Sequence, residues 1–129
     1  MTGRLTGIVL DSPAIKAYAA GTHGVGDMLA RISSGGEIVI VPALCLSESY
    51  RSATPDEALV LDLLHNLPVT VVTPVVADDC PVLGGWAGRL GRMDLAHAAM
   101  ASAVGRVPIV TTDRHLVQDL LEDWPVIDL

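Results

Sequence analysis

The sequence contains no phenylalanine, and its only aromatic side chains are Tyr18, Tyr50, Trp86 and Trp124. Half of its 129 residues are nevertheless hydrophobic, which excludes an intrinsically disordered chain and requires a core of Val, Leu, Ile and Ala. No apolar run approaches the roughly 20 residues needed to cross a bilayer. A chain of this length is expected to form one domain over residues 1–129.

Positive charge and cysteine are also scarce. Eight Lys and Arg residues face fifteen Asp and Glu residues, so the net charge is −7, and Lys16 is the single lysine. This balance argues against simple electrostatic binding of nucleic acid, unless bound cations or local arginines reverse the field. Cys45 and Cys80 lie in apolar runs without a CxxC pair, which predicts reduced core residues of a cytoplasmic protein. The stretch 1–11 is too short, and too soon interrupted by Asp11, for a secretory signal.

Five short β-type runs alternate with helical stretches. Most of these runs are continuously apolar, as expected for parallel strands covered on both faces. The predicted strands are 7–11, 37–41, 69–73, 108–112 and 126–128. The predicted helices are 12–20, 25–33, 43–53, 54–66, one within 76–92 with a glycine-rich approach to the next, 93–104 and 114–124. This order predicts an α/β domain with a mainly parallel sheet between helical layers.

Acidic residues recur where predicted strands end or where the neighbouring helices begin. Asp11 ends GIVLD and Asp113 follows IVTT, which places both at the carboxyl edge of the sheet, where ligands bind. Asp94 and Glu48 lie in the first turns of helices that start at the same edge. Two carboxylates about 4 Å apart repel by roughly 4 kcal/mol at an effective dielectric near 20, so such a cluster needs cations. Oxygen ligands of this kind suit Mg²⁺ or Mn²⁺, which support phosphodiester hydrolysis.

Three of these acids also have a simpler interpretation. Asp113 and Asp94 could cap the helices that begin beside them, and Glu48 could pair with Arg51 one turn later. Each signal is weak when taken alone. Their shared position at one edge of the sheet is what favours a site.

The first acid is harder to explain by helix capping. Ser12 is expected to be the N-cap of the first helix and Pro13 its first helical residue. Asp11 would then lie one position too early to act as a cap. The sequence therefore predicts that Asp11 serves another purpose.

Four motifs carry a resemblance to a known family: VLDS (9–12), LSE (46–48), MDLAHAAMA (93–101) and IVTTDRHL (109–116). In this order and spacing, the chain resembles PIN-domain proteins over nearly its whole length, and in particular the VapC-type toxins of bacterial toxin–antitoxin pairs. The resemblance implies a three-layer α/β/α fold with sheet order 3-2-1-4-5. It also implies Mg²⁺- or Mn²⁺-dependent endoribonuclease activity, inhibition by a cognate antitoxin with a basic tail, and homodimerisation.

The resemblance also implies roles for the four acids. Asp11 and Asp94 match the principal metal-binding acids of the family, while Glu48 and Asp113 match the other two. Asp11, Asp94 and Asp113 would then hold the metal, and Glu48 would orient or deprotonate the attacking water. Cleavage of RNA would leave a 5′-phosphate and a 3′-hydroxyl.

Hydroxyl and basic residues complete the predicted site. Ser12 and Thr111 match the hydroxyl positions that support the first and last acids of the family. The arginines that flank the acids and could attract RNA phosphate, or form local ion pairs instead, are Arg51, Arg89, Arg92 and Arg114. Pro13 and the segment 76–92, which ends in Gly and Arg, depart from the family pattern, and these departures bear on substrate recognition and not on the acids.

The sequence fits other protein classes less well. A receiver-like domain would need an aspartate ending the third strand, where Thr73 stands, and a lysine after the fifth, whereas Lys16 is the single lysine. GTHGVG (21–26) follows a helix and lacks the dinucleotide-binding pattern. His97 and His115 lie near two of the acids but are expected to be partly exposed rather than zinc ligands. A PIN-fold binding module with idle acids and a structure-specific DNA nuclease remain open alternatives.

Overall fold

The computed structural model describes residues 7–129, which contain a sheet of five parallel strands between helical layers. The strands are β1 (Gly7–Leu10), β2 (Ile38–Pro42), β3 (Thr70–Thr73), β4 (Ile109–Thr111) and β5 (Val126–Asp128). Their order, β3-β2-β1-β4-β5, confirms the predicted PIN-like α/β fold. The expectation about a secretory signal rests partly on residues 1–6, which lie outside the described residues.

The helices agree with the predicted stretches to within two residues, except that the last one ends at Leu120 and not at residue 124. They are α1 (Ser12–Ala20), α2 (Val25–Ser34), α3 (Ala43–Arg51), α4 (Pro55–His65), α5 (Cys80–Leu90), α6 (Met93–Gly105) and α7 (Arg114–Leu120). A short 3₁₀ turn, Ala77–Asp79, precedes α5. Three of the four glycines of the segment 76–92 lie inside α5, and only Gly91 stands between α5 and α6, so the predicted glycine-rich approach is mostly helix. Within the described range, no helix is long and apolar enough to span a membrane.

The core consists of aliphatic side chains, as the composition predicts. All four residues of β1 are buried, and so is the middle of α6, residues 95–102. Cys45 is buried in this core, as expected. Cys80 is exposed, so its prediction as a core residue was wrong: it begins α5 in a turn whose next residues, Pro81 and Val82, also face solvent. Apolar neighbours in the sequence do not tell which side of a helix start faces inward.

The position of Asp11 depends on the close pairing of β1 with β2. Gly7 pairs with Ile38, and a Cβ built at Gly7 would lie 2.2 Å from the Ile38 carbonyl oxygen. We therefore expect Gly7→Ala to destabilise the fold by roughly 1 to 3 kcal/mol, because one strand must shift to admit the methyl group. Urea unfolding followed by circular dichroism would measure the change.

Gly85→Ala provides a matched control for this prediction. Gly85 lies within α5, and apart from its chain neighbours and the adjoining helix backbone, no atom of the described residues lies within 4 Å of a Cβ built there. The same glycine-to-alanine change should therefore stabilise the protein there by roughly 0.5 to 1 kcal/mol, through helix propensity alone. Equal effects of the two substitutions would contradict the close strand contact.

Candidate functional site

Asp11 caps the first helix while lying fully buried at the carboxyl end of β1. Its Oδ1 accepts a hydrogen bond from the Ala14 N–H at 3.0 Å, and α1 begins at Ser12. The prediction that Ser12 is the N-cap was therefore wrong, and Pro13 is the second helical residue. Asp11 has the extended backbone of an N-cap (φ −81°, ψ −177°), which turns its side chain back over the helix start.

The cap uses only one of the two carboxylate oxygens of Asp11. The other, Oδ2, is buried and has no hydrogen-bond partner within residues 7–129. Burial raises the pKa of Asp11 to about 6, although the Thr111 hydroxyl, which comes near Asp11 without reaching hydrogen-bond geometry, the Ala14 N–H and the charge of Arg92 act to lower it. A buried carboxylate oxygen without a partner is costly, and such groups concentrate at functional sites.

Arg92 joins two of the other acids. Its Nη2 donates to Asp94 Oδ2 at 2.9 Å and its Nε to Asp94 Oδ1 at 3.3 Å, a two-pronged contact. Its Nη1 donates to Asp113 Oδ2 at 2.8 Å. One guanidinium therefore neutralises two carboxylates at the carboxyl edge of the sheet.

Asp94 receives further hydrogen bonds from the neighbouring elements. The Ser12 hydroxyl, which is free because Asp11 makes the cap, donates to Asp94 Oδ2 at 2.5 Å. The Cys45 thiol donates to the Asp94 carbonyl oxygen at 3.0 Å and so ties α3 to the start of α6. Partial burial by itself would raise the pKa of Asp94, but the hydrogen bonds from Arg92 and Ser12 outweigh it and lower the pKa.

Asp113 follows β4, and its side chain does not cap α7. It occupies the N-cap position, yet no side-chain capping bond forms, and its carboxylate turns to Arg92 instead. Its backbone N–H donates to the Thr111 hydroxyl oxygen at 2.9 Å. Asp94 likewise lies inside the first turn of α6, after Arg92 at the N-cap position. Helix capping therefore does not account for these two acids.

Glu48 lies on α3 and is held by basic side chains. Arg51 donates to its Oε2 through Nε at 2.8 Å, so the predicted surface pair does form, and Lys16 Nζ approaches to 3.7 Å. The hydrogen bond from Arg51 lowers the pKa of Glu48. Glu48 and Asp94 face one open cavity of about 400 Å³. The side chains that line this cavity are Ser12, Pro13, Lys16, Glu48, Arg51, Arg92 and Asp94.

The remaining two arginines make contacts elsewhere. Arg89 donates to the Asp119 carbonyl oxygen at 3.2 Å. Arg114 pairs with Asp128 at 2.9 Å and also donates to the Val126 carbonyl oxygen. The structure thus brings Arg51 and Arg92 to the acids, whereas Arg89 and Arg114 are engaged outside the cavity described above.

Two residues near the acids differ from their sequence interpretation. His97 is fully buried rather than partly exposed, because it lies on the inner face of α6, where its Nδ1 accepts the Leu44 N–H at 3.3 Å. Burial lowers the pKa of His97.

Lys16 lines the cavity but was not predicted as a site residue. Its spacing of four from Ser12 on α1 places both side chains on the same face of the helix, and this spacing could have indicated it.

The carboxylate oxygens of the four acids suit a hard divalent cation, although their side chains do not surround a single point. Within residues 7–129, no three His, Cys, Asp or Glu side chains lie close enough together to hold a metal ion. The oxygen donors and the unpartnered Asp11 Oδ2 nevertheless fit Mg²⁺ or Mn²⁺ in type. Arg92 provides the positive charge between Asp94 and Asp113 in this structure.

Comparisons with known proteins support the fold. No protein-family model matches the sequence, and no curated protein matches it. Among solved structures, this chain is similar to a protein chain in the "Crystal structure of VapBC2 from Rickettsia felis bound to a DNA fragment from their promoter". The TM-score is 0.70 at 10% sequence identity, and the match covers 95% of this chain and 98% of that chain. At this identity the likeness establishes the fold, and for the fold it confirms the resemblance that the motifs indicated.

Proposed function

We propose that this chain is a Mg²⁺- or Mn²⁺-dependent endoribonuclease and the toxin of a toxin–antitoxin pair. The observation that carries the proposal is the buried Asp11, whose unpartnered Oδ2 lies at the same sheet edge as Asp94 and Asp113. A helix cap alone needs one oxygen and no burial of the other. The fold shared with a chain of VapBC2 supports the same assignment.

Asp11, Asp94 and Asp113 would hold the metal in this proposal. When bound, a divalent cation stabilises charge on phosphate oxygens and favours hydroxide formation from water. Ser12 and Thr111 support these acids, since Ser12 donates to Asp94 and Thr111 accepts the Asp113 N–H. These two hydroxyls reduce the freedom of the carboxylates on which the chemistry depends.

Glu48 would orient the attacking water or accept its proton. It faces the cavity in its ionised form, because Arg51 lowers its pKa. In the proposed hydrolysis the water oxygen bonds to phosphorus and the bond from phosphorus to the 3′ oxygen breaks. One proton of the attacking water passes to Glu48, and the leaving 3′ oxygen takes up a proton from solvent, which leaves a 5′-phosphate and a 3′-hydroxyl.

Basic side chains at the cavity would meet the RNA backbone. Lys16, Arg51 and Arg92 line it and oppose the net negative charge of the chain locally. Arg89 and Arg114 would contribute only if they leave the partners that they contact in this structure. We therefore propose RNA-binding roles for Arg51 and Arg92 ahead of the other two.

The proposed partners follow from charge and from the fold. A net charge of −7 suits a basic partner, here an antitoxin with a basic tail. The matched structure is a VapBC2 complex with DNA from their promoter, which supports a protein partner for this chain as well. Homodimerisation and a cytoplasmic location belong to the same proposal.

Metal dependence provides the direct test of this function. We expect the purified protein to cleave single-stranded RNA in Mg²⁺ or Mn²⁺ and to lose this activity in EDTA, since its acids need a cation to approach phosphate. Denaturing gel electrophoresis of end-labelled RNA would measure cleavage, with DNA of the same sequence as the comparison substrate. Full activity in EDTA would contradict the metal mechanism, and cleavage of DNA alone would favour the structure-specific DNA nuclease.

A PIN-fold binding module with idle acids is the second candidate. The observation in its favour is that Arg92 forms ion pairs with both Asp94 and Asp113 and so neutralises them within the chain itself. Such a module would bind Mn²⁺ weakly and cleave neither RNA nor DNA. Mn²⁺ binding accompanied by nuclease activity would exclude it.

A further inference from the structure

Arg92 lies where positive charge is needed between two acids. Its guanidinium contacts Asp94 at 2.9 Å and Asp113 at 2.8 Å, and both carboxylates direct an Oδ2 toward it. The side chains of the two acids are only 13% and 24% exposed, so water screens them incompletely. Arg92 is therefore their shared counter-ion in this structure.

The backbone delivers Arg92 to this position. Gly91 ends α5 in the left-handed conformation (φ 80°), so the chain turns and α6 begins after only one further residue, Arg92. Arg92 itself is extended (φ −145°, ψ 130°) at the N-cap position of α6 and makes no side-chain capping bond. Its guanidinium is thereby tethered two residues from Asp94.

Arg92 also has room to leave. Its side chain is 35% exposed and borders the cavity of about 400 Å³ that Glu48 and Lys16 also line. The neighbouring Asp11 cannot leave in the same way, because it is fully buried and its Oδ1 is used by the cap. Asp11 therefore stays in place, and the hydrogen bond from Ser12 still holds Asp94, while the arginine can move into the cavity.

A guanidinium and a divalent cation compete for the same carboxylate oxygens. Both bind the Oδ atoms of Asp94 and Asp113, and two cations at hydrogen-bond distance repel strongly at a partly buried site. The unpartnered Oδ2 of Asp11 is an independent sign that the arrangement with Arg92 leaves one ligand unused.

We propose that Arg92 is an internal counter-ion that holds Asp94 and Asp113 in the metal-free protein and that a divalent cation must displace. This inference rests on the proposed function, because the same acids are taken as the metal ligands. Metal binding and the release of Arg92 into the cavity are then one coupled event. Metal affinity is lowered by the contacts that Arg92 must give up.

Mn²⁺ titration by calorimetry, without RNA, tests this competition. We expect Arg92→Gln to bind Mn²⁺ about 10-fold more tightly than the wild type, a usual size for coupling between two binding events. Arg92→Lys should lie between the two, because an ammonium group lacks the two-pronged contact with Asp94. Arg31→Gln on the exposed side of α2 makes the same charge change and should leave Mn²⁺ affinity unchanged.

Thermal unfolding gives a second readout in case Arg92→Gln is unstable without metal. In EDTA this variant should melt below the wild type, because two acids lose their counter-ion. Mn²⁺ should raise its melting temperature more than that of the wild type, since binding to the folded state alone stabilises in proportion to affinity. Arg31→Gln should behave as the wild type in both conditions.

The outcomes separate this inference from the nuclease proposal. Equal or weaker Mn²⁺ binding by Arg92→Gln would overturn the counter-ion role of Arg92. Tighter binding by this variant without RNA cleavage by any form of the protein would support the counter-ion role and contradict the ribonuclease. Absence of Mn²⁺ binding in every variant would overturn both.

Discussion

Asp94→Asn is expected to lower Mg²⁺-dependent RNA cleavage by roughly 100-fold or more, since even residues that only support metal ligands cost about 10- to 100-fold when changed. Asp94 is the acid with the most contacts at the site: it receives Arg92 and Ser12 at its carboxylate and Cys45 at its carbonyl. The amide removes the negative charge that a metal requires while it keeps the size of the side chain. Initial rates on end-labelled RNA at saturating Mg²⁺ would measure the loss.

Two further variants serve as comparisons for Asp94→Asn. Asp119→Asn, on the exposed side of α7, makes the same chemical change and should retain wild-type cleavage. Ser12→Ala removes only the hydroxyl that donates to Asp94 and should reduce cleavage less, by roughly 10-fold. Equal rates for the wild type and Asp94→Asn, with both folded by circular dichroism, would remove Asp94 from the proposed site.

Asp11→Asn is expected to abolish cleavage and yet stabilise the metal-free protein, by up to about 3 kcal/mol at roughly pH 8. Burial raises the pKa of Asp11 from 3.8 to about 6, so the folded protein is destabilised when Asp11 is ionised. Asparagine removes that charge and keeps an oxygen that can accept the Ala14 N–H at the cap. Urea unfolding in EDTA would measure the difference in free energy of unfolding from the wild type.

The sign of the pH dependence follows from the raised pKa. The contribution of Asp11 to stability is complete below the unfolded value of 3.8 and is lost as the pH rises through about 6. The advantage of Asp11→Asn should therefore be largest above pH 6 and shrink as the pH falls toward 3.8. His97, whose pKa is lowered by burial, changes stability in the opposite direction in both proteins, so it cancels in their difference.

Asp94→Asn is expected to change the free energy of unfolding in the opposite direction to Asp11→Asn. Hydrogen bonds from Arg92 and Ser12 prevail over partial burial and lower the pKa of Asp94, so its ionised form stabilises the fold. The amide should therefore destabilise the metal-free protein at neutral pH, where Asp11→Asn stabilises it. If Asp11→Asn and Asp94→Asn destabilise the protein to the same extent, the proposed difference between the two carboxylates is wrong: ionised Asp11 would not destabilise the fold while ionised Asp94 stabilises it.

Much of the fold could be predicted from local patterns. Short β-type runs, most of them continuously apolar, marked all five strands described in residues 7–129, because central strands covered on both faces have no polar side to display. The sheet order came with the family resemblance, and the described pairs confirm it. The convergence of Asp11 and Asp113 followed from their places after β1 and β4, which pair directly.

Details of the site were harder to predict where two residues compete for one role. Asp11 and Ser12 are both good caps, and only the actual helix start shows that Asp11 caps while Ser12 turns to Asp94. The exposure of Cys80 and the burial of His97 depend on which side of α5 and α6 faces the core. Neighbouring apolar residues in the sequence do not contain that information.

The sequence by itself determined the layered α/β fold and the collection of four acids at one edge, because both follow from short-range patterns and from the direction of parallel strands. Only the tertiary structure decided how the charges of those acids are distributed. It buries Asp11 with one oxygen that has no partner among residues 7–129, and it brings Arg92 to Asp94 and Asp113. Charges interact through space, and the contact between Arg92 and Asp113 joins residues that are 21 positions apart in the chain.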